Sequence, residues 1–531
     1  MSKKNIFLFL FTVLMLAVAI QPAEAKRKSK APVETRAKRE FRGVWLQTAF
    51  QERYMRMQPA EAQAYLTRLV DSLAATGFNA VLFQVRPEGD AFYKSELEPW
   101  SRFLTGKQGQ APVPAWDPMQ HMIDLCHQHH MEFHAWINPY RMSASKNQVL
   151  PQGHLYYQHP NWFVRYDGKL YLNPGMPECR AYVRSVVKDI VSRYDIDALH
   201  IDDYFYPYPV KGQTFGDRAT FEAYAPQMKL DCNKPEDWDN FRRQSVNILI
   251  RSLHDDIRSL KPWVRFGVSP FGIYRNQKSW AEGSATNGTQ CYDDLYADVL
   301  LWAEQGWIDY IIPQLYWEIG HSAADYATLV GWWSQHIPAQ CHLYIGQSIE
   351  RSLDETDAKR KAKCDLRTKH RHFAQKHALA SAQSNVLGNC YWYGYQVDED
   401  QYRVRHYLRD TVFAKRIVLP PAFVHIDKKA PEAIDNLKFK KTEQGLQLVW
   451  EQPKTNDPLQ LPQYYCIYRY RKGEKIDVER SCEHLLARTR ELFYTDASIS
   501  ASGKYTYVVT AIDPCNNESA PTRKTVKIKL K

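Results

Sequence analysis

Between Phe41 and about Phe413, short runs of aliphatic and aromatic residues alternate with longer stretches in which apolar positions recur every three or four residues. The first pattern fits strands buried on both faces, and the second fits helices laid with one face on a sheet. Eight strands are predicted, at Phe41–Thr48, Ala80–Arg86, Glu132–Asn138, Ala198–Asp202, Arg265–Pro270, Tyr310–Tyr316, His342–Gly346 and Val386–Trp392. Helices are predicted between them at Pro59–Thr76, Asp117–His130, Glu178–Tyr194, Trp238–Leu260, Asp293–Gln305, Ala323–His336 and Asp357–Ala380, with an eighth at Asp400–Ala414. In the first helix Tyr65, Leu66, Leu69, Val70 and Leu73 make one stripe, and Gly77 stops it. Eight successive β-then-α units describe an α/β fold, a (β/α)8 TIM-type barrel; a doubly wound sheet is the alternative but rarely strings together so many. Two connections, Arg141 to Pro177 and Phe205 to Asp237, are long, aperiodic and rich in Tyr, Trp, Pro and Gly. They follow the third and fourth strands, on the face where such barrels carry their active sites. Past Pro420-Pro421 the period drops to two. The segments Gly445–Trp450, Tyr464–Arg471, Phe493–Asp496, Gly503–Asp513 and Thr522–Leu530 predict a small all-β sandwich with Trp450, Tyr505 and Tyr507 in its core.

The N-terminal pattern is different. Lys3 and Lys4 precede an apolar run from Ile6 to Ile20, and Ala23-Glu24-Ala25 follows, which reads as a secretory signal peptide over residues 1–25. That run is short for a membrane span, no later run reaches spanning length, and no Cys follows it to take a lipid. The expected organisation is a leader (1–25), a basic linker (26–39), a barrel (40–420) and a sandwich (431–531), exported to the periplasm, cell envelope or exterior. Net charge sharpens this only slightly. The chain carries +11 over 531 residues, but Lys26 to Glu40 alone hold seven basic residues against two acidic ones. The linker is expected to be solvated, and the nearly neutral remainder gives no reason to expect a nucleic-acid partner. The ten Cys are scattered without a C-x-x-C pair, which indicates neither a zinc site nor a disulfide framework. Cys482 could pair with Cys515 or Cys466.

Chemistry is sought at the C-terminal ends of the strands. The fourth is the most distinctive, with Asp202 and Asp203 after an apolar run and before Tyr204-Phe205-Tyr206-Pro207. Side chains alternate along a strand, so Asp202 continues the inward set of His200 while Asp203 begins the loop. Either could serve as nucleophile or base. Glycoside hydrolysis needs a second carboxyl. Glu318, beside Trp317, is the candidate acid, because an apolar neighbour raises a carboxyl pKa. Glu88, beside Arg86, is the candidate ion-paired positioning group. Trp45, Trp136, Trp162, Trp317, Trp392 and Tyr395 lie at or near strand ends, where rings could stack on sugar faces, and Tyr204 and Tyr316 are further substrate-binding candidates. Arg86, Asn138, Tyr140, Arg141, Asn173, His200 and Gln314 are candidate partners for hydroxyl, acetamido or carboxylate groups. His127, His129 and His130 read as a solvated helix C-terminus. No metal-ligand cluster or phosphate loop is present in the sequence, and no cofactor is expected.

Taken in order, these strand-end phrases resemble the bacterial glycosyl hydrolase-like 10 family. The matching stretches are Glu40-Phe41-Arg42-Gly43-Val44-Trp45, Gln84-Val85-Arg86-Pro87, His134-Ala135-Trp136-Ile137-Asn138-Pro139-Tyr140-Arg141, Leu172-Asn173-Pro174-Gly175, Ile201-Asp202-Asp203-Tyr204, Ser269-Pro270-Phe271-Gly272 and Pro313-Gln314-Leu315-Tyr316-Trp317. The resemblance implies a TIM-type barrel with a glycosidase site acting on a polysaccharide, most characteristically peptidoglycan glycan strands stripped of stem peptides. It carries over to the fourth-strand aspartates, and to Glu318 and Glu88. The sandwich, with Tyr505-Thr506-Tyr507-Val508-Val509-Thr510, resembles a fibronectin type III module. The alternative reading is a non-catalytic glycan-binding envelope protein on the same scaffold. Linkage, endo or exo action, and retention or inversion stay open.

Overall fold

The computed structural model describes residues 38–353, 366–422, 426–427 and 429–529; the leader and most of the basic linker lie outside them. Eight parallel strands close into a barrel in sequential order: β1 (Phe41–Leu46), β2 (Ala80–Arg86), β3 (Glu132–Ile137), β4 (Ala198–Ile201), β5 (Arg265–Val268), β6 (Tyr310–Ile311), β7 (His342–Ser348) and β8 (Val386–Trp392). Helices return the chain between them: α1 (Pro59–Thr76), α2 (Pro118–Gln128), α3 (Pro177–Arg193), α4 (Pro235–Leu260), α5 (Val299–Glu304), α6 (Tyr326–His336) and α7 (Leu366–Ser381). Local sequence explains their limits. Pro59 opens α1 behind a Gln58–Glu61 capping box, and Gly77 closes it at φ 108°, a conformation that costs glycine little. Asp117 caps α2 by accepting from the Met119 and Gln120 amides.

The barrel departs from the expected elements in four places. Strand β6 spans only Tyr310–Ile311. The helix expected at Asp293–Gln305 is two short pieces, Cys291–Asp294 and Val299–Glu304, separated by Tyr296 at φ 54°. The helix expected at Asp400–Ala414 is broken because Asp400, Tyr402 and Arg403 adopt left-handed φ; short helical segments (Gly394–Asp398, Val404–Tyr407) and a π-turn (Leu408–Val412) replace it. The loop after β3 holds a hairpin, Phe163–Tyr166 against Lys169–Leu172.

Period-two alternation sorts the strand residues into two cores. Outward residues such as Val44, Val81, Phe83, Phe133, Leu199, Ile201 and Val268 pack against the helices. Inward apolar residues, among them Phe41, Trp45, Leu82, Trp136, Tyr310 and Tyr344, fill the barrel. The interior also holds polar side chains, because Glu132, His134, His200 and Arg265 are buried on the same inward set. Gly267 makes room for them: a Cβ there would lie 2.1 Å from the Tyr310 ring.

The C-terminal region is a small sandwich of two antiparallel sheets. Strands β9 (Asp435–Thr442), β10 (Gly445–Glu451) and β13 (Phe493–Asp496) form one, in the order β9-β10-β13. Strands β12 (Leu485–Thr489), β11 (Tyr464–Arg471), β14 (Gly503–Ile512) and β15 (Thr522–Ile528) form the other, in that order. Trp450, Tyr505 and Tyr507 lie in the core between them, as expected. The sandwich packs beneath the barrel, against the strand N-termini. Asn516 Nδ2 donates to Glu132 Oε1 at 2.9 Å, and Arg416 donates to the Leu485 and Leu486 carbonyls, each at 2.7 Å. Contrary to the expectation of a wholly solvated linker, Lys38 and Arg39 both pair with Glu518, and Lys38 is buried. The histidines that end α2 are not simply solvated either. His127 is buried against Asp197 at 2.9 Å, where that carboxylate raises its pKa despite burial, and His130 packs on the Tyr464 ring. The nine described cysteines are all free thiols, so neither suggested Cys482 pairing forms.

Candidate active site

At the C-terminal end of the barrel the inward positions of consecutive strands become Gln84, Asn138, Asp202, Ser269 and Gln314. A directed chain of amides fixes the first three. The backbone N–H groups of Thr48 and Ala49 both donate to Gln84 Oε1 at 2.9 Å. This leaves Gln84 its amide nitrogen, which donates to Asn138 Oδ1 at 2.7 Å. Asn138 must then turn its own Nδ2 toward Asp202, and it donates to Oδ2 at 2.5 Å. Arg141 Nη2 also donates to Asn138 Oδ1, at 2.9 Å, which holds the same orientation. Two backbone amides thus dictate, through two side chains, that Asp202 receives a donor.

Asp203 begins the loop but folds back into the same cavity, where the Tyr208 hydroxyl donates to Oδ2. Both carboxyls are buried. Burial raises the Asp202 pKa, the neighbouring Asp203 charge raises it further, and Arg141 and Asn138 offset part of this, leaving it at about 7. Burial also raises Asp203, against the hydrogen bonds of Tyr208 and Gln314. Two like charges this close cannot both ionise cheaply, so the pair retains a proton near neutrality. That pair can supply an acid and an anionic group together.

The cavity above the pair is about 220 Å³. Trp45, Trp136, Tyr316 and Trp392 wall it, with the Trp45–Trp392 and Trp136–Trp392 rings edge to face at 6.4 and 6.1 Å. Tyr204 also lines it, stacked under the Arg141 guanidinium at 5.3 Å. Apolar faces with a few convergent polar groups suit a sugar.

The other expected site residues are placed as follows. Glu318 and Trp317 line a neighbouring cavity, with Arg351 and Lys376, which shares Tyr316 with the first. Arg86 and Glu88 do not brace each other. Arg86 is buried in a bidentate pair with Glu98, at 2.8 and 2.6 Å, while Glu88 pairs with Arg102 and accepts from the Ala144 amide. The strand ends at Arg86, and Glu88 lies in the turn beyond it, so the two side chains do not share a strand face. Asn173 braces a loop, donating to Thr220 Oγ1 at 2.8 Å, and Tyr140 is buried away from the cavity lining. His200 lies one inward position below Asp202, fully buried. Three residues of this region were not anticipated: Gln84, Tyr208 and Ser269. Ser269 stands at the end of the fifth strand, and Tyr208 extends the aromatic run after Asp203, so position and neighbourhood were the available signals. Among the described residues no group of His, Cys, Asp and Glu could hold a metal ion, and no helix is long and apolar enough to cross a membrane.

The family model for glycosyl hydrolase-like 10 matches residues 40–362. The chain belongs to that family. It is 34% identical to glycosyl hydrolase YngK of Bacillus subtilis over 92% of this chain and 94% of that protein. It is 37% identical to glycosyl hydrolase DigH of Escherichia coli K12 over 60% of this chain and 75% of that protein. Solved structures are more distant. The glycoside hydrolase domain of PgaB from Bordetella bronchiseptica shares 10% identity and a TM-score of 0.48, covering 72% of this chain and 99% of that one. As a member of the glycosyl hydrolase-like 10 family with a barrel of this kind, the protein is a glycoside hydrolase.

Proposed function

We propose that the enzyme cleaves an amino-sugar polysaccharide, namely peptidoglycan glycan strands lacking stem peptides, outside the cytoplasm after removal of the leader. The observation that carries the reaction is the Asp202–Asp203 pair at the end of β4, buried under aromatic walls and holding a proton near neutral pH. The pair shares the proton, and we assign to Asp202 the part of acid on the leaving oxygen. Asp203, kept an acceptor by Tyr208, provides negative charge to the oxocarbenium-like transition state, and water then adds to the anomeric carbon and returns a proton to the Asp202 carboxylate. The resemblance of the sequence motifs supports the substrate class, and the leader-like N-terminus supports export. The sandwich is proposed to be a fibronectin type III-like module. Its three-plus-four strand order supports this, as does Tyr505, whose hydroxyl donates to the Ala501 carbonyl at 2.8 Å at the corner before β14.

The test is mass spectrometry of products from denuded glycan strands, with intact peptidoglycan and chitin as comparisons. New saccharide ends from denuded strands, abolished in both Asp202→Asn and Asp203→Asn, are expected. Glu318→Gln separates the acid assignments: retained turnover places the acid at Asp202, and loss of turnover with normal folding places it at Glu318. Binding without any new ends would favour the non-catalytic reading and refute the proposal.

A further inference from the structure

A continuous line of buried polar groups runs down the barrel interior, from the floor of the catalytic cavity to the face under which the sandwich packs. Glu132 Oε2 meets His134 Nε2 at 3.0 Å. His134 Nδ1 meets the Tyr310 hydroxyl at 2.9 Å, and that hydroxyl meets His200 Nδ1 at 3.2 Å. His200 Nε2 meets Ser269 Oγ at 2.9 Å and Trp45 Nε1 at 3.4 Å. His134, His200 and Tyr310 are fully buried and Ser269 nearly so.

The two ends of this line fix the position of every hydrogen in it. At the lower end Glu132 is an acceptor only, since it is paired with Arg265 and also receives Asn516 Nδ2 at 2.9 Å. His134 must therefore carry its hydrogen on Nε2, and its bare Nδ1 takes the Tyr310 hydrogen. The Tyr310 oxygen, having given its one hydrogen, accepts from His200 Nδ1–H. His200 Nε2 is then bare. The upper end demands the same result independently, because the Trp45 indole N–H can only donate. The opposite tautomer of His200 would set lone pair against lone pair at Tyr310 and N–H against N–H at Trp45, in a site closed to water. Two donors face the single lone pair of His200 Nε2, and Ser269 Oγ at 2.9 Å is nearer than Trp45 Nε1 at 3.4 Å, so Ser269 commits its hydrogen downward and the indole takes only a weak share. Ser269 lines the cavity beside Asp202 and Asp203, and with its hydrogen committed its hydroxyl has only lone pairs left to offer there.

We infer that Ser269 is a specificity-determining residue that offers the glycan an acceptor and no donor, taking a hydroxyl or acetamido N–H of a sugar ring and disfavouring a ring oxygen or carbonyl at that point. Glu132, His134, Tyr310 and His200 are positioning residues that act through it, and Gly267 is the residue that leaves space for the Tyr310 ring. The inference rests on the glycosidase reading for its ligand, but not for its hydrogen arrangement.

The full chain labelled with 15N-histidine tests the arrangement without substrate. Two-bond 1H–15N spectra, assigned by loss of signals in His134→Gln and His200→Gln, are expected to show His200 neutral with the hydrogen on Nδ1 and His134 with it on Nε2. In Tyr310→Phe, His200 is expected to keep its hydrogen on Nδ1, because the Trp45 N–H still faces Nε2, while the Nδ1–H signal shifts as it loses its acceptor. Kinetics test the consequence. Ser269→Ala is expected to raise KM about fivefold, the worth of one neutral hydrogen bond, with kcat changed less than twofold, and Ser269→Thr is expected to restore KM. His200 found as the Nε2–H tautomer in the unaltered protein, or an unchanged KM in Ser269→Ala, would overturn the inference. Absence of any glycan turnover by the unaltered enzyme would instead refute the glycosidase reading, because the spectra need no substrate.

Discussion

Replacing Asp202 by Asn should make the folded protein less sensitive to pH in a direction that the site itself sets. Burial and the adjacent Asp203 lift the Asp202 pKa from 3.8 to about 7. As pH falls through 7 the folded protein takes up a proton that the unfolded chain does not bind until about pH 4. Folding is therefore favoured progressively on acidification, and the gain is complete near the unfolded pKa. At pH 7 the group is already half protonated, and further uptake approaches about 1.4 kcal/mol per pH unit, so the step from pH 7 to pH 5 contributes about 2 kcal/mol. Barrel and sandwich together, roughly 490 residues, unfold with an entropy of about 1 kcal/mol/K, at about 2.1 cal/mol/K each, so this amounts to a Tm difference of about 2 °C. Asp202→Asn keeps an oxygen for Asn138 Nδ2 but has no charge to bury, and it should lose that share of the pH dependence while gaining stability at pH 8. The assay is thermal unfolding of both proteins by circular dichroism at pH 8 and pH 5, read as the difference between their pH responses. Parallel Tm–pH curves, or an Asp202→Asn variant less stable than the parent at pH 8, would refute the claim that a strained carboxyl pair sits at the end of β4.

The same pair should make kcat/KM on the glycan fall above about pH 7, and Arg141→Gln, which removes the charge that lowers the Asp202 pKa, should move that limb to higher pH. Gln84→Leu, a change one side chain removed from Asp202, should lower kcat severalfold with KM little changed, because Asn138 then has Arg141 alone to hold its oxygen away from the carboxylate; unchanged kcat would show that Arg141 suffices and the Gln84 link is ornamental. Glu98→Ala strands the Arg86 guanidinium, whose side chain is 1% exposed, and should cost about 3–5 kcal/mol in denaturant unfolding. Glu88→Gln should lower stability more than it lowers kcat, since all its recorded partners belong to the loop framework.

The barrel was legible because its strands and helices carry two different periods, and those periods are what sort Val44, Phe83 and Leu199 to the helices and Trp45, Leu82 and Trp136 to the interior. The breaks at Tyr296 and at Asp400 to Arg403 were not legible, since left-handed backbone at non-glycine residues leaves no mark in a hydrophobic pattern. That Asp202 and Asp203 stand at the barrel mouth was legible from strand-end position. The partners of Arg86 and Glu88 were not, because proximity in sequence suggested a pair while the loops delivered Glu98 and Arg102 from further along the chain. His200 was read as a substrate ligand because it is polar and inward. Only the depth of its layer, one residue below Asp202, shows that it serves the line beneath the cavity instead.

The contacts of Glu518 and Asn516 carry a consequence for how this molecule can be cut. Glu518 of the sandwich grips Lys38 and Arg39 just before β1, the Lys38 carbonyl receives the Val418 amide from beyond the last strand, and Asn516 caps a buried carboxylate within the barrel wall. A gene truncated after residue 420 would thus strip the clasp from both ends of the barrel and bare the Glu132–Arg265 pair to water. The two modules should melt in one calorimetric transition, and proteases should find no early nick that releases an intact, active barrel.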